Sequence, residues 1–333
     1  MPVSPIIDNH GRPIEYVRLA VTDRCNLRCF YCMPEEGIQY MKRKALLSFE
    51  EMERLLRILG SMGVSKVRIT GGEPFLRKNL IQFLEKMVEI PGIEQWNLTT
   101  NGVLTEAYIP QLLSLGIQAV NLSLDTLDKN RFHQITRRDE LEKVIQCMHA
   151  LLAAGITTKV NAVVMAGKNT EDIVPMVRLT QDLPLEMRFI EEMPFNGSAS
   201  TTPHSTWSAR QILDQIQEVF PNIHPLPSPP HSTAKKYQIP GFQGQIGIIA
   251  AFSRTFCGSC NRIRLTPQGT LKTCLYDDGV LNLRDLMREG ANDETIQLEL
   301  RKAFGQRAKD GWEAERNRKG SDNISESMAT IGG

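Results

Sequence analysis

The sequence predicts an α/β fold: an incomplete (β/α)6 TIM-like barrel followed by a smaller C-terminal region. Three observations predict it. Strand-like and helix-like segments alternate six times between Glu15 and Ile190, at roughly thirty-residue spacing, as βα units with right-handed crossovers do. The first strand is extended and largely apolar, as buried parallel strands are. Two unusual stretches, a cysteine loop and Gly71-Gly72-Glu73-Pro74, each follow the C-terminal end of a strand, the end where such barrels carry their sites. Six units would leave one side open.

Each element has a local reason. Glu15 to Val21 is extended and apolar and runs straight into the cysteine loop. Ser48 is an N-cap with Glu51 three residues on, a capping box. That helix runs to about Gly60 with Leu55, Leu56 and Leu59 on one face. Strand Lys66 to Thr70 ends in the Gly-Gly-Glu-Pro turn. Helix Leu80 to Glu89, strand Gln95 to Thr100 and the turn Asn101-Gly102 follow, then helix Thr105 to Leu115 and strand Ala119 to Leu124. Helix Leu141 to Ala154 stops at Gly155; strand Lys159 to Met165, helix Glu171 to Leu179 and strand Glu186 to Ile190 complete the alternation. Pro221 to Pro230 turns to Pro, Ser and His, which reads as a linker or irregular crossover. The expected division is residues 1–220 for the partial barrel and 221–333 for the smaller region. From about Asp310 the chain is polar and rich in Gly, Ser and Asn, so a mobile tail ending in Ile331-Gly332-Gly333 is expected.

With 333 residues, 41% hydrophobic and 23% charged, the chain can fill one large core and a smaller one. A net charge of +1 without long like-charged runs gives no reason to expect nucleic-acid binding. The N-terminus lacks a basic segment followed by an apolar core, and no apolar run reaches membrane-spanning length, so neither a secretory signal nor a membrane partner is expected. Six of the seven cysteines fall into two compact groups. That pattern suits metal in a reducing cytosol, and a cytoplasmic location is expected.

Cys25, Cys29 and Cys32 are spaced C-x3-C-x2-C, close enough for one loop to aim all three sulfurs at one point. Soft thiolates select an iron–sulfur cluster, zinc or Cu(I). Structural zinc usually closes with four ligands, and a cubane cluster ordinarily takes four cysteines. With three, one iron keeps an open position for a small molecule. A structural zinc loop or buried free thiols is the alternative. Cys257 and Cys260, with Cys274 after thirteen intervening residues, repeat the count of three. A zinc site completed by the remote His231 is the alternative there. Cys147, on an apolar helical stretch, is expected to be a core residue.

Cations sit where strands should be dry. Arg18, Arg68 and Lys159 interrupt apolar strands, and a buried unpaired cation is costly. If these strands line one barrel, their side chains meet in the lumen and call for an anion of several charges, such as a polyphosphate. Arg262 and Arg264 follow Cys260, and alternation puts both on one strand face. Local carboxylate partners are the alternative for each cation taken singly.

The octet Cys25 to Cys32, with Tyr31 just before the last cysteine, resembles the radical S-adenosylmethionine (SAM) enzymes, in which SAM chelates the open iron. CNLRCFYC, RITGGEP, LTTNG, NLSLDT, KVNAVV, RFIEEM, FCGSCNRIRLTPQGTLKTCLY and the Gly-Gly pair then lie in the order of the GTP 3′,8-cyclases of molybdenum cofactor biosynthesis. The resemblance covers the chain from about Glu15 to Gly333. It implies two [4Fe–4S] clusters, one on Cys25, Cys29 and Cys32 that binds SAM, the other on Cys257, Cys260 and Cys274 that meets the guanine of GTP. It implies SAM contacts from Tyr31, Gly72, Ser123 and Met193, and GTP contacts from Arg18, Arg68, Thr99, Lys159, Arg262 and Arg264. At Gly72 a missing Cβ would let the backbone approach the methionine moiety. Gly332 and Gly333 are expected to reach toward the active site as part of the catalytic apparatus.

The implied activity is conversion of GTP to (8S)-3′,8-cyclo-7,8-dihydroguanosine 5′-triphosphate. A 5′-deoxyadenosyl radical would take the C3′ hydrogen, and C3′ would then join C8 of guanine. A reducing electron donor, a cyclic pyranopterin monophosphate synthase as pathway partner and a homodimer are implied as well. A radical SAM peptide-modifying enzyme with an auxiliary cluster, and a non-catalytic zinc-binding interaction protein, are the competing readings.

Overall fold

The structure, a computed structural model, describes residues 6–193, 195, 207–318 and 326–332. Strands β1 (Ile6–Ile7) and β2 (Pro13–Ile14) form a small antiparallel hairpin. Then come β3 (Tyr16–Ala20), β4 (Lys66–Thr70), β5 (Gln95–Thr100), β6 (Ala119–Ser123), β7 (Thr157–Val164) and β8 (Glu186–Glu191). Beyond them lie β9 (His224–Leu226), β10 (Lys235–Gln238), β11 (Gln245–Ile249), β12 (Arg262–Leu265), β13 (Thr270–Lys272) and β14 (Leu281–Asn282).

Twelve strands make one sheet in the order β14-β13-β12-β3-β4-β5-β6-β7-β8-β11-β10-β9. The six expected strands β3 to β8 are neighbours in sequence order, all parallel. The parallel run is longer than the sequence suggested, because β12 joins beside β3 and β11 beside β8, both parallel. The chain crosses from one edge of this run to the other through residues 250–261, which carry Cys257 and Cys260.

Alternation along β3 decides what faces where. Val17 and Leu19 are fully buried in the main apolar core, and Arg18 between them turns the opposite way. The helix Phe49–Ser61 begins at the expected capping box: Ser48 Oγ accepts from Glu51 N at 3.1 Å, and Ser48 N donates to the Glu51 carboxylate at 2.7 Å. Met52, Leu55, Leu56 and Leu59 face the sheet from it. Cys147 is buried in the same core, as expected of a packing residue.

Two expectations are corrected. The Pro-rich stretch is not merely a linker: His224–Leu226 pairs antiparallel with β10, and prolines are tolerated because β9 is the edge strand. The chain after Asp310 is not a loose tail among the described residues. Asp310 caps the helix Gly311–Arg316 by accepting from Trp312 N and Glu313 N, both at 2.9 Å. Further on, Met328–Ile331 is helical, with Ala329 and Ile331 buried and Ile331 clustered with Phe195 and Tyr276. Gly333 lies outside the described residues. Among the described residues no helix is long and apolar enough to cross a membrane.

Candidate active site

The first thiol trio stands beyond the C-terminal end of β3. Arg28 N donates to Thr136 O at 2.9 Å and Phe30 N to Ile135 O at 3.1 Å, which sews the cysteine loop to the helix Lys129–Thr136. Asn101, just after β5, donates to Cys25 Sγ at 3.7 Å and to Asn26 Oδ1 at 2.7 Å. Burial, reinforced by Glu73, pushes the Cys25 thiol up to about 11. Burial and the neighbouring thiols hold Cys29 and Cys32 well above the ordinary range. A bound metal centre would have to bring positive charge to draw the protons from these thiols.

Among the described residues no group of three or more Cys, His, Asp or Glu is arranged to hold a single ion. An iron–sulfur cluster makes a different demand, since each thiolate takes its own iron. His231 Nδ1 sits 2.7 Å from the carbonyl of Ser259, and among the described residues His231 belongs to no group placed to hold a single ion.

A cavity of about 100 Å³ touches all three thiols together with Tyr31, Gly72 and Ser123. Gly72 is glycine for a reason nearer than a ligand: a Cβ there would lie 2.2 Å from the carbonyl oxygen of Arg24. The turn it occupies is held by Gly72 N to Thr22 O at 2.8 Å and Glu73 N to Arg24 O at 2.7 Å. Glu73 is buried and accepts from Thr100 Oγ1 at 2.9 Å and Asn101 N at 2.8 Å; burial raises its carboxyl to about 7. Asp125 takes the Tyr31 hydroxyl at 2.8 Å and Val163 N at 2.8 Å, and burial raises it to about 6.

The second trio lies at the opposite end of the strands. Cys257 and Cys260 precede β12, and Cys274 follows β13, which runs antiparallel to β12. Burial pushes Cys274 up to about 12. Cys260 goes the other way: burial opposes ionisation, but Arg262 and Arg307 outweigh it and bring the thiol down to about 7. Arg262 reaches Cys260 Sγ at 3.5 Å.

Between the trios runs a second cavity of about 510 Å³, lined at one end by Tyr31 and Cys32 and at the other by Cys257, Cys260 and Cys274. Arg18, Arg68, Thr99, Lys159, Arg262, Arg264, Ser123 and Met193, the expected contacts other than Gly72, all line it. Register explains the charge density. Arg264 pairs with Arg18 across β12 and β3, and Arg18 with Arg68 across β3 and β4. Burial lowers Arg18 well below the ordinary guanidinium range, and Arg264, Arg68 and Arg262 lower it further. Burial and Arg188 lower Lys159 to about 8. Like charges held on adjacent strands around one cavity call for an anionic ligand. Thr99 Oγ1, Asn121 Oδ1 and Asn161 Oδ1 are buried on the same wall without a hydrogen-bond partner, as groups awaiting a ligand are.

The described chain ends here too. Ser327 Oγ donates to Cys32 O at 2.6 Å, and Arg264 donates to the carbonyl of Gly332.

Comparison with known proteins decides the family. The Radical SAM superfamily model matches residues 19–180, and the Molybdenum Cofactor Synthesis C model matches residues 185–312. A protein named GTP 3′,8-cyclase from Moorella thermoacetica is 40% identical over 87% of this chain and 90% of its own length. The chain belongs to the GTP 3′,8-cyclase family of radical SAM proteins. The family's protein from Syntrophomonas wolfei is likewise 40% identical, covering 88% of this chain and 90% of its own. Molybdenum cofactor biosynthesis protein 1 of Bos taurus is 40% identical over 91% of this chain but only 48% of its own length, so the chain spans about half of that relative. Streptococcus suis SuiB shares the fold, with a TM-score of 0.61 at 14% identity over 89% of this chain and 67% of that one. Family membership favours the cyclase over the peptide-modifying and zinc-binding alternatives.

Sequence reading passed over Glu73, Asn101, Asp125, Asn121 and Asn161 as site residues. The first two lie in turns just after strands, and the last two alternate with apolar neighbours along β6 and β7, which is the signal that could have found them.

Proposed function

We propose that this protein joins C3′ of GTP to C8 of its guanine, giving 3′,8-cyclo-7,8-dihydro-GTP. The observation that carries the reading is the cationic cavity that reaches Cys32 of the first trio at one end and all three thiols of the second at the other. Cys25, Cys29 and Cys32 would hold one [4Fe–4S] cluster and Cys257, Cys260 and Cys274 the other. With SAM bound, the first cluster supplies the hydrogen-abstracting radical.

The chain's own residues supply placement. Tyr31, Gly72, Ser123 and Met193 would hold SAM. Arg18, Arg68 and Lys159 would grip the polyphosphate, while Arg262 and Arg264 orient the base toward the second trio. Thr99 Oγ1, Asn121 and Asn161 are donors or acceptors for the groups between. Held at both ends, the nucleotide presents one C–H bond to the radical. Gly332, docked on Arg264, and Gly333, outside the described residues, would belong to the catalytic apparatus.

The same proposal includes the division at residues 220/221, an external electron donor, a cyclic pyranopterin monophosphate synthase as consumer of the product, a homodimer and a cytoplasmic location. The test is anaerobic turnover of the reduced, reconstituted protein with SAM and GTP deuterated at C3′. Deuterium should appear in 5′-deoxyadenosine together with the cyclised nucleotide; its absence from 5′-deoxyadenosine would refute the reading.

A further inference from the structure

Beneath the second thiol trio two arginines meet on one carboxylate. Asp8 accepts from Arg12 Nε at 2.7 Å and from Arg307 Nη1 at 3.0 Å, and the three side chains are only 0%, 6% and 3% exposed in that order. Asp8 is aimed by its own turn, accepting from His10 N and Arg12 N at 2.9 Å each. The turn is pinned to the far end of the chain, since Asn9 Nδ2 donates to Arg307 O at 3.0 Å.

The remaining donors of both arginines go to backbone carbonyls, several of them on the segments that carry the thiols. Arg12 donates to Cys257 O at 3.2 Å, and to Ala308 O and Lys309 O at 2.8 Å each. Arg307 donates to Cys260 O at 3.2 Å, to Arg262 O at 3.0 Å and twice to Thr273 O, the residue before Cys274, at 3.2 and 3.0 Å. Its Nη2 also stands 3.9 Å from Cys260 Sγ. One carboxylate thus orients two forks that hold the backbone at or next to all three thiols. Asp8 and Arg12 fall outside the residues matched by either family model.

The charges do not balance within the set. Two guanidiniums against one carboxylate leave a buried positive charge over, which is costly unless an anion lies beside it. A thiolate-ligated cluster is such an anion, and positive charge or N–H donors near its sulfurs favour the reduced state. We propose that Asp8, Arg12 and Arg307 form a positioning set that fixes the geometry of the second thiol trio and raises the reduction potential of the cluster it holds. The inference rests on the two-cluster reading and deepens it.

The test uses the full chain, anaerobically reconstituted with iron and sulfide, in a background carrying Cys25→Ser, Cys29→Ser and Cys32→Ser, so that only the second trio binds. Iron content, the EPR spectrum of the reduced cluster and its midpoint potential are measured, with circular dichroism as the check on folding. Arg307→Met should lower the potential and change the EPR line shape, and Arg307→Lys, which keeps charge but not the fork, should lower it less. Asp8→Asn should alter the line shape with little change of volume. Unchanged potential and line shape in Arg307→Met and Arg307→Lys at full iron content would overturn the inference. So would a uniform loss of iron and of thermal stability from both trios when Arg307→Lys is placed in the wild-type background, since that marks a merely structural role. Failure of the parent background to bind any cluster would instead refute the two-cluster reading, and the inference with it.

Discussion

Arg264, on β12, donates a hydrogen bond to the main-chain carbonyl of Gly332. A cation of the lumen thereby holds a segment distant in sequence against the ends of β3 and β4. Gly332 has φ of +77°, and a Cβ there would stand 3.0 Å from Ala20 Cβ and 3.1 Å from Thr70 Cγ2.

This contact makes Gly332 the sensitive residue of the docked segment. In Gly332→Val the left-handed backbone costs about 1–2 kcal/mol, before the crowding is counted. Proteolytic release of the segment around 326–332 should speed up by roughly tenfold, with iron content unchanged. Equal cleavage rates in the two proteins would show that the docking does not depend on glycine.

Removing one lumen cation should weaken GTP binding without unfolding the chain. A hydrogen bond to a charged group contributes about 1.5–3 kcal/mol, so Arg68→Ala or Lys159→Ala should bind GTP roughly 10- to 100-fold more weakly by calorimetry. Arg57→Ala breaks only an exposed pair with Glu53 and serves as the control. If its loss matches that of Arg68→Ala, the lumen is not the nucleotide site.

Tyr16 should titrate far below an ordinary phenol in the ligand-free protein. Burial alone would raise it, but Arg68 and Arg18 outweigh that and lower it to about 7; Arg68 Nε donates to its hydroxyl. A folded value below the unfolded one means that stability from this group is fully present above about 10 and is lost as pH falls through about 7. Absorbance at 295 nm should rise through neutral pH and fail to do so in Tyr16→Phe. A polyphosphate ligand, by neutralising the arginines, should move the transition upward; a titration indifferent to GTP would contradict the anion site.

The thiols make the simplest count. Cys25→Ser should remove roughly four of about eight irons per reconstituted chain, and Cys260→Ser the other four. Cys147→Ser, in the apolar core, should remove none. Iron analysis that fell equally in all three would deny two separate sites.

Much of this was legible in residue types and spacing. Both trios, the strand cations and the capping box at Ser48 are local patterns, and alternation alone turns Arg18 away from Val17 and Leu19. Gly72 was legible as glycine but for a different cause, because the carbonyl of Arg24 that excludes its Cβ comes from a loop nearly fifty residues earlier. The tail from Asp310 was expected to be mobile because it is rich in Gly, Ser and Asn, and composition does not report that Ile331 packs with Phe195 and Tyr276.

What the sequence by itself determined was the chemistry: which residues are soft ligands, which are fixed cations, and that strands and helices alternate. Only the tertiary structure decided that β11 and β12 flank the barrel and that the connection between them carries two thiols to the end opposite the first trio. Only it showed that Asp8, Arg12 and Arg307 converge there. Strand order and long-range pairing arise from burial of many faces at once, a non-directional force that leaves no mark at any single position.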